Sequence, residues 1–249
     1  MTAKFLVMNG MVTETRRGLE RIEETRGQPL LSVLSGTPAV VKQILRTPAT
    51  LFTTAIMVLL GICWLVKGTF WSILVTEKLL IPDEHLWMFT FARSMIMLVF
   101  YFLVMPRLRD TDVRKPLLWG LTGLIIGQVL LISTPPHNYL LLMVATALEA
   151  VSTPVATTLV DKLAVVAVAP AERARIMAIL YAVVLVFTSP FGWIAGELSS
   201  VNRSLPFLLS IALFAASAGL IVLTRRWLKD GVEVDQSASP AADPAQEPA

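Results

Sequence analysis

The chain has 249 residues, of which 55% are hydrophobic and only 16% charged, with a mean hydropathy of +0.69. Soluble domains carry about a quarter charged residues, so this composition excludes an ordinary globular enzyme. A net charge of +3 is too small for a nucleic-acid binder, and one cysteine with two histidines excludes a disulfide framework and the common metal centres.

Residues 1–12 hold only a short apolar run, Phe5 to Met8, and no small-residue cleavage site, so no cleavable signal peptide is expected, and residues 1–47 form the lead-in to the spans. They read as a cytoplasmic and interfacial segment in which Leu30, Leu31, Val33 and Leu34, then Val40, Val41, Ile44 and Leu45, form the apolar faces of one or two amphipathic helices. Six apolar windows follow, at 51–75, 86–105, 117–133, 139–160, 176–196 and 205–223. Each approaches the roughly 20 residues a helix needs to cross a bilayer. Short breaks carrying proline or charge separate them, and none alternates as a barrel strand would. The expectation is an all-α membrane protein with a six-helix domain over 48–227. The stretch 228–249, rich in alanine, proline and acidic residues, reads as a disordered tail.

Orientation follows from the basic residues. Of the 21, seventeen fall on one side of the spans and two, Lys78 and Arg203, on the other, which predicts that both termini are cytoplasmic. The remaining two, Lys67 and Arg93, lie inside spans.

Charges in a bilayer cost about 2.5–3.5 kcal/mol each on insertion scales, so Lys67, Arg93 and Glu149 each require a reason. Counting from the outer ends at 1.5 Å per residue puts them about 12, 10 and 15 Å deep, close to one layer. Two cations facing one carboxylate leave a positive pocket suited to an anion. The bland alternatives are a structural ion pair and, for Arg93, a side chain that snorkels to the surface. Burial favours the neutral form of Glu149 and nearby cations its charged form, which makes it a candidate proton carrier.

In the fourth span Thr146, Glu149, Thr153, Thr157 and Asp161 share one helical face, and line a cavity unless the threonines bond back to their own helix. Trp64, Lys67 and Trp71 share a face of the first span: Trp64 is a candidate cation–π partner or a packing residue, and Trp71 an interfacial anchor. Pro154 and Pro190 interrupt helices and are candidate hinges. Gly120, Gly123 and Gly127 read as a close-packing surface, and the absence of charge from spans three and six suggests that these are peripheral.

The loop after the second span resembles the signature G-x-x-x-D-R-x-G-R-R of the major facilitator superfamily. Asp110, Arg114 and Lys115 match it, while Pro106, Thr111 and Val113 stand in place of glycine, arginine and glycine. With the basic lead-in at 14–21 and the stretches 172–177 and 188–193, the resemblance covers 14–229 and is to the C-terminal half of a bacterial member. It implies alternating access, with spans one and four lining the central cavity, and so places Lys67 and Glu149 on a substrate path. Family members usually have twelve spans in two related halves, so this chain is expected to be a fragment or a half-transporter that pairs, as a homodimer or with a complementary N-terminal half.

The function expected is a secondary transporter of a small, anionic solute in the bacterial cytoplasmic membrane, proton-coupled through Glu149. Its partners are the lipid bilayer and that solute, with no nucleic acid, cofactor or metal. The rivals are a truncated, non-transporting product and an oligomeric channel with Glu149 at its pore. An intramembrane protease is disfavoured, because there is no G-x-S-x-G, both histidines lie in outer loops, and no two adjacent spans carry paired aspartates.

Overall fold

The computed structural model describes residues 48–104, 106, 113–166, 168 and 173–223. The amphipathic lead-in, Asp110 of the loop signature and the C-terminal tail lie outside them. Six helices account for nearly all of it: α1 (Pro48–Ile73), α2 (Leu86–Leu103), α3 (Arg114–Ser133), α4 (Tyr139–Val166), α5 (Arg173–Val201) and α6 (Leu205–Leu223). All six are long and apolar enough to cross a membrane, the architecture of a multi-pass membrane protein, and no strand occurs among the described residues. The apolar windows read from sequence coincide with these helices, but α4 runs six residues further, to Val166, and α5 to Val201. Charge at Asp161 and Lys162 does not end α4, because helix termini can extend into the polar interface where charged side chains are solvated.

The helices pack in a defined order. α3 lies against α4 and α6, α1 against α5 and α6, and α2 against α4, while α1 and α4 touch each other. Exchanging α1–α3 for α4–α6 maps the α3–α4 contact onto α6–α1, and α2–α4 onto α5–α1. It leaves α3–α6 and α1–α4 in place. The α5–α6 contact and the slight α4–α5 contact lack counterparts of equal extent in α2–α3 and α1–α2. A unit of three spans necessarily returns upside down, so an inverted repeat would give a contact pattern of this kind.

Two apolar clusters fill the interior. One joins Ile56, Leu60, Leu121, Leu124, Leu159 and Phe214; the other joins Val66, Phe70, Phe89, Leu131, Leu142 and Phe207. On α4 the first cluster begins at Val155 and the second ends at Ala145, leaving Glu149 between them. The outside is apolar too, with Trp87, Phe91, Leu98 and Phe102 of α2 and Leu185, Phe187 and Trp193 of α5 exposed, as expected of surfaces that meet lipid rather than water. α3 and α6 are not the peripheral helices. α2 and α5 are the least buried, because they flank the bundle on α4 and α1, whereas α3 and α6 pack on each other.

The α3–α4 seam depends on glycine. A Cβ at Gly120 would stand 3.0 Å from Val155, one at Gly123 2.2 Å from the Ser152 hydroxyl, and one at Gly127 2.7 Å from Cγ of Glu149. These three positions recur along one face of α3 and let its backbone approach α4. Lys78 and Arg203 are tied at the end of the bundle away from the chain's entry and exit. Lys78 closes a π-helical turn (Leu74–Lys78) and donates to the Ile132 carbonyl at the end of α3 and to the Ser204 hydroxyl before α6. Arg203 pairs with Glu77 and donates to Ser199. At the opposite end Arg114 donates to the Ile221 carbonyl of α6. Helix C-termini leave carbonyls without partners, and cations there satisfy them.

Gly123→Ala is expected to lower the stability of the purified protein by about 1–3 kcal/mol, the usual range for overpacking. Adding Ser152→Ala, which removes the obstructing hydroxyl, should recover part of the loss in a thermal melt in detergent. A single variant as stable as the parent would contradict the seam.

Candidate functional site

α1 carries Lys67 and α4 carries Glu149 where the two helices meet. Their side chains form an ion pair, 4% and 2% exposed. Gly127 on α3 gives the Glu149 side chain its room. Two ions removed from water cost several kcal/mol each, and only close pairing offsets that, so the pair demands that α1 and α4 stay together at this level. The depths counted from sequence therefore place Lys67 and Glu149 correctly in one layer. Arg93, on α2, is half-buried and near enough for its charge to act on Lys67. The two ion pairs among the described residues are Lys67–Glu149 and Arg203–Glu77, so Arg93 is the surplus positive charge of the layer.

Around the pair lie polar atoms that find no hydrogen-bond partner in the protein: Oε1 of Glu149, the hydroxyls of Thr146 and Thr153, and Oε1 of Gln128, all on buried residues. Buried polar groups are otherwise satisfied in more than nine cases of ten, so each of these exceptions requires an explanation. The threonines of α4 divide between the two expectations. Thr157 donates to the carbonyls of Thr153 and Pro154, the local bond common in apolar helices, whereas Thr146 and Thr153 do not bond back. Beside Lys67, Gly68 and Thr69 are exposed, and nothing stands within 4 Å of a Cβ built on Gly68, so the buried pair adjoins an open face.

The other residues singled out from sequence fall elsewhere. The ring of Trp64 sits edge-on to Phe214 of α6, with centroids 6.2 Å apart, a packing contact. The Cys63 thiol is buried and donates to the Ser210 carbonyl. Pro154 is buried within α4 and Pro190 is exposed within α5, and both helices continue through them. Lacking an N–H, they leave the carbonyls of Ala150 and Val186 without their helical donors. Arg114 and Lys115 open α3, away from the charged layer.

Sequence reading missed Gln128 and the contact between Tyr181 of α5 and Asp161, in which the phenol donates across 3.4 Å. Gln128 gave a signal, a lone amide in an apolar run, but carries no formal charge. No group of metal ligands occurs among the described residues. No protein-family model matches the chain, and no curated protein matches its sequence.

Thr146→Val and Gln128→Leu remove buried polar atoms that lack protein partners, so each should leave stability unchanged or raise it by about 1 kcal/mol. Chemical denaturation in mixed micelles reads this. A loss of 2 kcal/mol or more would show hydrogen bonds that the geometry does not contain.

Proposed function

We propose that the chain is one six-span half of a secondary active transporter of the major facilitator type. It moves a small anionic solute across the bacterial cytoplasmic membrane by alternating access, coupled to protons. The observation that carries this reading is the buried Lys67–Glu149 pair joining α1 to α4 amid unpartnered polar atoms. An ionisable pair in this position is expensive, and such residues mark substrate or proton paths in membrane proteins. The inverted-repeat contact pattern supports the fold assignment, since transporter sites lie at repeat interfaces near the midplane. Arg93 supplies the extra positive charge an anion needs.

Alternating access needs a second body to rock against. Beside the pair, Gly68 and Thr69 of α1 are exposed, and Ser72 lies exposed one turn further along the same helix. Polar side chains of this kind are poorly accommodated by hydrocarbon, which supports burial of the face against a second copy or a complementary half.

Two measurements test the reading. Single-cysteine labelling should find position 112 reactive only from the cytoplasm and position 137 only from outside; reversed accessibility would overturn the orientation. In proteoliposomes containing the chain with its partner half, Glu149→Gln should abolish or uncouple pH-driven uptake of small carboxylates or phosphate. Lys67→Met and Arg93→Met should each weaken affinity by about 1.5–3 kcal/mol, the range for a lost charge-assisted hydrogen bond. Parental, pH-driven uptake by the Glu149 variant would refute proton coupling at this residue.

A further inference from the structure

The polar face of α4 does not end at the buried pair. From Glu149 it continues through Thr153, Thr157 and Asp161 at intervals of four residues, toward the end of the bundle where the chain enters and leaves. Exposure rises along it: Glu149 is 2% exposed and Thr153 6%, Thr157 is half-buried and Asp161 is exposed. We propose that Asp161 is the proton relay between Glu149 and the adjoining aqueous phase, reached through a column of water held along this face of α4.

Polar groups recur along this face. Oε1 of Glu149 and the hydroxyl of Thr153 are buried and unpartnered. Pro154 frees the carbonyl of Ala150 between them. Thr157 spends its hydroxyl hydrogen on the backbone, which leaves its oxygen able to accept from water. Successive groups are about 6 Å apart along the helix, a gap one or two waters close. A buried water needs two to four polar partners, which this face supplies.

At the far end the Asp161 carboxylate is held by the Tyr181 phenol, through a long bond that leaves most of its acceptor capacity open. The step is proton transfer alone. An O–H bond breaks at the Glu149 carboxyl, each water passes a proton onward, and an O–H bond forms at the Asp161 carboxylate, which releases the proton to solvent.

Several charged groups on α4 and on the helices packed against it bear on the path. Lys67 and Arg93 stand at the Glu149 end. Lys162 and Tyr181 neighbour Asp161, and Arg114 and Lys115 open α3 at the same end of the bundle.

The proposal rests on the proton coupling proposed above, yet its test needs no transport. The full chain in lipid nanodiscs is followed by infrared difference spectroscopy after a pH jump, with the Glu149 carboxyl band assigned by its loss in Glu149→Gln. Asp161→Asn should slow appearance of that band by about a hundredfold, the lower end of what a positioned proton-transfer group contributes. Asp161→Glu should keep most of the rate, and added formate should restore it to the Asn variant. Thr153→Val should also slow it, whereas Thr122→Val, on the exposed face of α3, should not. Parental rates in both Asp161→Asn and Thr153→Val would overturn the relay, as would the absence of any carboxyl band that Glu149→Gln removes. If uptake fails while these rates behave as expected, the transport reading falls and the relay stands.

Discussion

An ammonium and a carboxylate pressed together in an apolar bundle set the terms for everything around them. Separately, Lys67 and Glu149 would each carry an uncompensated charge in a medium that solvates neither, at a cost of several kcal/mol. Together they are tolerable only while α1 and α4 remain apposed at that level. These two helices are also the hubs of the bundle: α5 and α6 pack on α1, and α2 and α3 pack on α4. One contact therefore ties α1–α3 to α4–α6 where these two helices meet. It also explains why α3 must be glycine-bearing opposite Glu149, since a side chain at Gly127 would occupy the space of the Glu149 stem.

The two ends of the bundle solve a different problem with the same chemistry. A helix that stops at a membrane surface leaves carbonyl groups without partners. Lys78 serves the last turn of α3, Arg203 serves α5 through Ser199, and Arg114 serves α6. Lys78 and Arg203 thus each have a structural task at that end of the bundle. With both ends fastened by polar clasps and the middle by an ion pair, the apolar clusters between them have little choice of register.

Much of this was legible before any coordinates, because hydrophobic length and charge are coarse and unforgiving signals. The six spans stood out as apolar blocks, and depth counted at one helical rise per residue brought Lys67 and Glu149 to one layer. The finer distinctions needed geometry. Thr146 and Thr157 are indistinguishable in sequence, yet only Thr157 bonds back to its helix. Trp64 and Trp71 share the Lys67 face, but Trp64 turns to Phe214. Gln128 carries no charge to draw the eye, although burying an amide without a partner also has a cost. The expectation that uncharged spans lie outermost failed on α3 and α6, since exposure to lipid depends on packing partners and not on charge. The loop signature at Asp110 remains a reading of sequence, with Arg114 given a second, structural task at the end of α6.

The most direct test of this account is a charge exchange. Lys67→Glu or Glu149→Lys alone places two like charges together in the bundle and should prevent accumulation of folded protein in the membrane, while the double exchange, Lys67→Glu with Glu149→Lys, should restore it. The readout is the folded, monodisperse fraction recovered in mild detergent, with its thermal midpoint. Recovery of the double variant to near the parental level is the predicted result. Single variants as stable as the parent, or a double variant no better than either, would show that the bundle does not depend on this pair.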